Sequence, residues 1–174
     1  MKNTAPHETE KKSSARERSA VDEITLIRPF SQALPTKFLR AREAVISRFR
    51  PILQARRITD QQWRILRALA ELEEAEILTL SDWCVIHPAS LSRILPKMEA
   101  GGLIKRRTNV ADKRRVIVSL DEKGRALFDE VAPESEAAYE TLIEAAGPER
   151  LKELNRILDE LLDVLNSSGV AKPS

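Results

Sequence analysis

Apolar residues recur along most of this chain at intervals of three and four, the spacing that places them on one face of an α-helix. The first stripe begins at Leu34 and continues through Phe38, Val45 and Phe49. Pro51 lies in the same segment, and because proline lacks an N–H and collides with the preceding turn, we expect the helix to kink or end there. The pattern predicts a first long helix over residues 34–56.

A second helix is predicted to begin at Thr59. Thr59 and Gln62 have the spacing of a capping box, in which each side chain satisfies a backbone N–H at the start of a helix. Ile58 and Trp63 occupy the two positions of a hydrophobic staple around this cap. The apolar stripe then ends at an acidic stretch, residues 71–76, which we interpret as a break between elements.

Two further helices are predicted before residue 101. A short one covers about residues 79–85, and the next begins at His87 with Pro88 at its first position, where the missing N–H has no cost. The second of these has one apolar stripe, formed by Leu91, Ile94, Leu95 and Met98. Pro96 lies inside it and predicts a bend, and Gly101 with Gly102 predicts its end.

The apolar period then changes to two. Residues 103–107 and 115–120 alternate as strands do, and the polar segment between them predicts a β-hairpin. Asp121 is suited to cap a long helix, which Gly147 and Pro148 should end. In the last helix five leucines from Leu151 to Leu165 repeat at intervals of three and four, as in a coiled-coil seam.

This order of elements predicts a mainly α fold with a small β-hairpin: a winged helix–turn–helix with a flanking helical dimerisation layer. We expect residues 1–33 to be a flexible extension and residues 167–174 a flexible tail. The DNA-binding domain is predicted at 58–120, and the helical dimerisation region at 34–57 and 121–166.

Composition excludes several classes of protein. The 174 residues include only 4% aromatic residues and 5 glycines, too few for an all-β sandwich or barrel. One cysteine and two histidines exclude an internal disulfide and leave too few ligands for a usual metal centre. No apolar run is long enough to span a membrane, and the first 20 residues lack the apolar core of a secretory signal. We therefore expect a soluble cytoplasmic protein.

The net charge of +2 conceals an uneven distribution. Residues 87–115 contain eight basic and two acidic residues, whereas residues 121–165 contain five basic and thirteen acidic ones. A basic helix and hairpin beside an acidic helical layer indicate a surface that faces nucleic acid.

The residues of this basic segment also carry a family resemblance. The stretch L-S-D-W-C-V-I-H-P-A-S-L-S-R-I-L-P-K-M-E-A-G-G-L-I-K-R-R and the later A-D-K-R-R-V-I-V-S-L resemble the MarR family of bacterial transcription regulators, with the homoprotocatechuate-degradation repressors as the nearest subgroup. The resemblance covers about residues 34–165 and implies obligate dimers that bind palindromic operators and are released by small phenolic ligands. Val85 departs from the pattern, because the family usually has glycine there, as does Asp121, where threonine is usual.

On the helix that begins at His87, the side chains outside the apolar stripe are suited to contact base edges and phosphates. They are Pro88, Ala89, Ser90, Ser92, Arg93 and Lys97. The alternative is an ordinary solvated helix face.

The hairpin adds six basic residues between Lys105 and Arg115 against one acid, Asp112. Arginine at a hairpin tip is suited to the narrow, negative minor groove. The resemblance implies that Arg114 inserts there and that Asp112 braces it, and we add Arg106, Lys113 and Arg115 as candidate DNA contacts. Alternatively, these charges only prevent pairing between exposed strand edges.

The candidate effector-binding residues are Phe38, Arg40, Arg42, Trp63 and His87. Arg42 falls within an apolar stripe, where a guanidinium group needs a partner such as a carboxylate. Because ligands of the MarR family lie between the first helix and the DNA-binding unit, we expect Arg42, with Arg40, to hold the carboxylate of an aromatic acid against Trp63 and Phe38. Equally, Arg42 has Glu43 or an acid of a partner chain as a possible salt-bridge partner.

Three alternatives remain at this point. The cluster Arg48, Arg50, Arg56 and Arg57 also suits the phosphates of a coenzyme A thioester. Cys84 suggests a redox sensor, although its apolar neighbours favour core packing over an exposed thiolate. A helical interaction dimer without DNA binding explains the leucine seam but not the basic hairpin.

The sequence thus predicts a transcription regulator rather than an enzyme, since His87 and Cys84 make a poor catalytic pair. Its expected partners are double-stranded DNA, a second copy of the chain, and a small aromatic acid or acyl-CoA. We expect no cofactor, no metal and no membrane association.

Overall fold

The computed structural model describes residues 29–109, 112 and 115–167. The elements in chain order are a 3-10 helix Phe30–Gln32, α1 Leu34–Ala55, α2 Asp60–Leu72, β1 Glu74–Glu76, α3 Ile77–Cys84, α4 Pro88–Ala100, β2 Ile104–Thr108, β3 Val116–Leu120, α5 Glu122–Ala146 and α6 Pro148–Ser167. The chain is therefore mainly helical with a small sheet, as the sequence predicted.

The chain divides into two units between Ala44 and Val45, inside α1, and each is described separately. In the first unit, the 3-10 helix lies within the segment that we predicted to be flexible, and the remainder of that segment lies outside the described residues. The side chains of Leu34, Phe38 and Leu39 are exposed along the helix that follows.

The second unit contains the hydrophobic core. Its fully buried side chains come from α2, α3, α4, α5 and the sheet: Ile65, Leu66, Leu69, Leu80, Leu91, Leu95, Met98, Ile104, Val118 and Val131. The apolar stripe predicted for α4 is confirmed, with Leu91, Leu95 and Met98 buried and Ile94 half-buried.

The capping box predicted at Thr59 is present in both directions. The Thr59 side chain accepts a hydrogen bond from the Gln62 N–H at 3.2 Å, and the Gln62 side chain accepts one from the Thr59 N–H at 2.9 Å. The staple residues Ile58 and Trp63 are both buried in the core. This cap fixes the first residue of α2.

The sheet contains a strand that the sequence interpretation missed. The break predicted at residues 71–76 is wrong, because Glu74–Glu76 forms β1 and pairs antiparallel with β3, so that Ala75 lies opposite Val118. The predicted hairpin, β2 and β3, is thus part of a sheet in the order β1-β3-β2. A polar segment becomes a strand here because the partner strand supplies its hydrogen bonds and Ala75 is buried against the core.

One helix boundary differs from the sequence prediction, and another agrees with it. Helix α3 begins at Ile77 rather than near residue 79, directly after β1. Helix α1 continues past Pro51 to Ala55, one residue short of the predicted end at residue 56. A proline removes one helical hydrogen bond, and the burial of Leu53 in the core holds the last turn in place.

One close approach fixes where α5 lies against the sheet. Gly124 is buried in the first turn of α5, and a Cβ atom built on it would lie 1.8 Å from the Leu103 carbonyl oxygen. The Asp121 side chain caps the same helix by accepting a hydrogen bond from the Glu122 N–H at 2.7 Å, as predicted.

Among the helices of the described residues, none is both long enough and apolar enough to cross a membrane.

Candidate nucleic-acid interface

Helix α4 has a well-defined start that faces solvent. The His87 Nδ1 atom accepts a hydrogen bond from the Ala89 N–H at 3.2 Å, and Pro88 occupies the first helical position. His87, Pro88 and Ala89 are all exposed. The cap and the proline therefore fix the direction of a helix end that is available to a partner.

The predicted contact residues of α4 lie on the side opposite its buried stripe. Ser92, Arg93 and Lys97 are exposed, and Ser90 is half-buried. The Ser92 hydroxyl donates to the Ala89 carbonyl oxygen at 2.8 Å, and the Arg93 Nε donates to the same oxygen at 3.4 Å. Within the described part of the chain, Arg93 and Lys97 form no ion pair, so this face is positively charged.

The basic residues of β2, in contrast, are all paired with carboxylates. Lys105 Nζ lies 2.9 Å from Asp121 Oδ1, and Arg107 Nη2 lies 2.8 Å from Glu74 Oε2. Arg106 donates through Nε to Glu99 Oε2 at 2.8 Å and also through Nη2. The Arg106 guanidinium lowers the pKa of Glu99 from its ordinary value through this hydrogen bond.

We call the β2–β3 hairpin the wing, and at its loop Arg115 links it to β1. Its Nε lies 3.3 Å from Asp112 Oδ2, and its Nη1 lies 3.2 Å from Glu76 Oε1. Hydrogen bonding to Glu76 is the main cause that raises the pKa of Arg115. The other two predicted wing contacts, Lys113 and Arg114, lie outside the described residues, so their assignment stays a prediction.

These pairings reveal a set of acids that sequence reasoning missed. Glu99 pairs with Arg106, seven residues away, whereas Glu74 and Glu76 of β1 pair with Arg107 and Arg115, which are 33 and 39 residues away in sequence. The role of Glu74 and Glu76 depends on the position of β1 beside β3, which brings the carboxylates of β1 close to the hairpin. The signal in the sequence is the acidic composition of residues 71–76, which by itself predicts a break rather than a strand.

The turn between α3 and α4 is held by Arg64, a residue that the sequence analysis does not single out. Arg64 of α2 donates through Nη1 to the carbonyl oxygens of Cys84 and Val85, the latter at 3.4 Å, and its Nη2 lies 3.3 Å from Asp60 Oδ2. Its Nε is buried without a hydrogen-bond partner in the described structure. Val85 itself adopts a left-handed backbone conformation, with φ 48° and ψ 51°.

Two further candidates, Trp63 and Cys84, are buried in the second unit. Trp63 is buried and stacks on Phe128, with ring centroids 5.7 Å apart. Cys84 is buried, and burial raises the pKa of its thiol, which is the opposite of what a reactive thiolate requires. No three His, Cys, Asp or Glu side chains of the described residues are grouped as a metal site.

Three of the residues predicted to bind the effector belong to the first unit, and all three are exposed: Phe38, Arg40 and Arg42.

Comparison with known proteins gives consistent matches. Residues 58–116 match the MarR family. The chain is 40% identical to the HTH-type transcriptional regulator FarR of Neisseria gonorrhoeae over 74% of its length and 90% of that protein. It is 36% identical to the homoprotocatechuate degradative operon repressor of Escherichia coli over 78% of its length and 91% of that protein. Among solved structures, NadR in complex with 4-hydroxyphenylacetate matches with 36% identity and a TM-score of 0.68, over 78% of this chain and 96% of that one.

Proposed function

This chain belongs to the MarR family of transcriptional regulators, and on that premise we propose that it is a dimeric repressor that binds a palindromic operator and is released by a small aromatic acid or its CoA thioester. The relatives named above are regulators of transcription rather than enzymes. The proposal therefore concerns the DNA, the partner chain and the effector.

The exposed face of α4 is the observation that supports DNA binding most directly. A helix whose start is capped, whose opposite face is buried, and whose exposed side carries Ser92, Arg93 and Lys97 has the form of a major-groove recognition helix. The serine hydroxyls suit phosphate and base contacts, and the cations suit phosphates and guanine. In the same arrangement the β2–β3 hairpin extends to the adjacent minor groove.

Exposed apolar side chains on α1 and α6 support a dimer. On α6, Leu154, Leu162 and Leu165 are 48%, 56% and 47% exposed, and Leu39 of α1 is 66% exposed. Helices with this much exposed apolar surface are typical of an interface that a second chain covers. A two-fold dimer then predicts two half-sites about one helical turn apart.

The proposed effector class comes from two relatives. One represses a homoprotocatechuate degradative operon, and the other has been crystallised with 4-hydroxyphenylacetate. Both small molecules are phenolic acids, so we propose a phenolic carboxylic acid, free or as its CoA thioester, for this chain. We propose Arg42 as the partner of the carboxylate, since a guanidinium group binds a carboxylate with two parallel hydrogen bonds. The roles of Phe38, Arg40, Trp63 and His87 in binding stay predictions.

The test of DNA binding begins with selection of duplexes from a random pool by the wild-type protein. We expect a palindromic consensus, and a binding constant that falls steeply between 50 and 200 mM salt as phosphate contacts are screened. Arg114→Ala should weaken binding at least tenfold without changing the circular dichroism spectrum or the dimer, whereas Arg150→Ala, an exposed change on α6, should have no effect. Undiminished affinity of Arg114→Ala would contradict the role of the wing, and failure to enrich any palindrome would contradict the proposed operator.

A further inference from the structure

A cavity with a volume of about 460 Å³ lies where the end of α1, the end of α4 and the start of α5 meet. All of its lining residues belong to the second unit of the chain. Four basic side chains line it, against one acidic side chain, Glu130: they are Arg56, Arg57, Lys97 and Lys123. Part of its wall is aliphatic and is formed by Ile58, Leu103 and Leu127. The cavity is therefore amphipathic, with a cationic and an apolar side.

Of the four positively charged side chains, only Arg56 pairs with carboxylates of the described residues. Arg56 is neutralised by two carboxylates of α5: its Nε lies 3.2 Å from Glu130 Oε1, and its Nη1 donates to Glu134 Oε2 at 2.9 Å. The side chains of Arg57, Lys97 and Lys123, by contrast, form no ion pair or hydrogen bond with the residues that the structure describes. Three uncompensated positive charges thus surround one cavity whose only carboxylate is already engaged.

Two of these cations occupy positions that do not favour them on structural grounds. Arg57 has a φ of 55°, in the left-handed region that a residue with a Cβ atom adopts at a cost. Lys123 lies in the first turn of α5, where the partial positive charge of the helix end disfavours a cation. The backbone conformation of Arg57 belongs to the end of α1, where its N–H donates to the Gln54 carbonyl oxygen at 3.0 Å and the Ile58 N–H donates to the Leu53 carbonyl oxygen at 3.1 Å. The charged groups of Arg57 and Lys123, in contrast, have no partner among the described residues, which leaves both available to a ligand.

We propose that this cavity binds a small phosphorylated molecule with an apolar portion. Three cations match the two or more negative charges of a phosphate ester, and phosphate oxygens supply the acceptors that guanidinium and ammonium groups need. The aliphatic wall contacts the rest of the molecule, and the cavity has a volume typical of small-ligand sites. The site is distinct from the one proposed for the free aromatic acid at Arg42, whereas a CoA thioester, the other effector form proposed above, falls within the same ligand class.

Lys97 connects the cavity to the proposed DNA-binding face. It lies on the exposed face of α4 and also lines the cavity, so a bound phosphate competes with DNA for its ammonium group. This consequence rests on the proposed DNA-binding function, whereas binding of the phosphorylated molecule does not. Occupancy of the cavity is expected to lower DNA affinity without any change in the effector.

Isothermal titration calorimetry of the full chain with ADP, in the absence of DNA, tests the site. The informative variant combines Arg57→Gly with Lys123→Gln, which removes two of the positive charges. Glycine adopts a positive φ without steric cost, so the change at residue 57 keeps the fold intact. The matched control combines Arg150→Gln with Lys152→Gln, the same change of charge on exposed positions of α6. We expect the cavity variant to bind ADP about 100-fold more weakly and the control to bind as the wild type does, since each lost charge-assisted contact is worth about tenfold.

Two further measurements separate this site from general attraction of anions. Pyrophosphate should bind more weakly than ADP because it lacks a part that contacts the aliphatic wall, and equal affinity would overturn the proposed apolar portion. Absence of ADP binding by the wild type, or equal binding by the cavity variant, would overturn the site itself. If ADP does not bind and the cavity variant instead weakens binding of a non-specific duplex, the cavity takes DNA phosphates and the small-molecule proposal is wrong.

Discussion

Arg64, on α2, donates a hydrogen bond from its guanidinium group to the main-chain carbonyl oxygen of Cys84, the last residue of α3. The carbonyl groups at the end of a helix lack partners within it, and a cation satisfies both their hydrogen bonding and the negative end of the helix dipole. Arg64 thereby fixes the turn from which α4 begins. It holds this turn although Val85, the next residue, is in an unfavourable backbone conformation.

Val85→Gly is expected to stabilise the protein. Val85 has a φ of 48°, and its side chain is 83% exposed, so glycine relieves backbone strain and removes little packing. We expect the free energy of unfolding in urea to rise by about 1 kcal/mol. Val85→Ala is the control, because alanine removes the branched side chain but keeps the Cβ atom, and should recover only part of the gain. Stabilisation of equal size by alanine would show that the backbone conformation is not the cause.

Gly124→Ala is expected to destabilise the protein by at least about 2 kcal/mol. The new Cβ atom would lie 1.8 Å from the Leu103 carbonyl oxygen, so α5 would have to move away from the sheet. Gly101→Ala is the matched comparison, since its φ is −78° and its Cβ atom would lie 3.4 Å from the nearest atoms. Thermal unfolding should therefore separate the two variants clearly, with Gly101→Ala close to the wild type.

The ion pair between Asp121 and Lys105 predicts a specific pH dependence. Hydrogen bonding to Lys105, and then to the Glu122 N–H, lowers the pKa of Asp121 below its ordinary value of 3.8. A carboxyl group whose pKa is lowered in the folded state raises the free energy of unfolding at pH values above its ordinary pKa. This contribution is lost as the pH falls through the pKa of the folded state. Asp121 raises the pKa of Lys105 above 10.5, so the contribution of the ammonium group is lost only as the pH rises through its folded pKa.

Asp121→Asn isolates this ion pair, because asparagine still caps α5 but carries no charge. The difference in melting temperature between wild type and Asp121→Asn should be present at pH 7 and shrink below about pH 4 and above about pH 10.5. Asp121→Ala, which also removes the cap, should remain less stable than Asp121→Asn at every pH. A difference between wild type and asparagine that does not change with pH would exclude the charge as its origin.

The double variant Leu154→Glu, Leu165→Glu is expected to be a monomer. Both leucines are exposed on α6, and placing carboxylates in an interface formed by them costs desolvation that no partner offsets. Light scattering should then give a mass of 19.6 kDa, against twice that value for the wild type and for the control Lys152→Gln. A wild-type chain that is monomeric at micromolar concentration would remove the basis for a palindromic operator.

Arg42→Gln is expected to weaken the binding of 4-hydroxyphenylacetate at least tenfold, because glutamine cannot pair with a carboxylate through charge. The measurement is the shift of melting temperature with ligand concentration, which follows from binding to the folded state alone. Lys37→Gln, another exposed cation on α1, is the control. Equal shifts for Arg42→Gln and wild type would assign the carboxylate to another residue, and a larger wild-type shift with the CoA thioester would identify that form as the effector.

The parts of the fold that sequence predicted well are those with local causes. The box between Thr59 and Gln62 involves residues three apart, and the stripe of Leu91, Leu95 and Met98 repeats within one helix. Strand β1 was missed because its cause is distant: Ala75 becomes part of a sheet only because Val118 lies opposite it. Nothing in the residues around Ala75 alone predicts this pairing.

The same distinction applies to the candidate site. The exposed positions of α4 follow from helical periodicity and were predicted individually. The carboxylates that hold Arg107 and Arg115 were not, because Glu74 and Glu76 reach them only through the register of β1 on β3. Likewise, the role of Arg64 depends on how two helices pack, which a single sequence does not specify.

The pairing of β1 with β3 also has a mechanical consequence. The segment between α2 and α3 is hydrogen-bonded to the wing, and Arg64 holds the far end of α3 where α4 begins. Helix α3 is thus held at both ends, to the sheet through β1 and to α2 through Arg64, so a displacement of α3 would reach both the wing and the start of α4. On the function proposed above, an effector that displaced α3 would alter the DNA contacts of α4 and of the wing together.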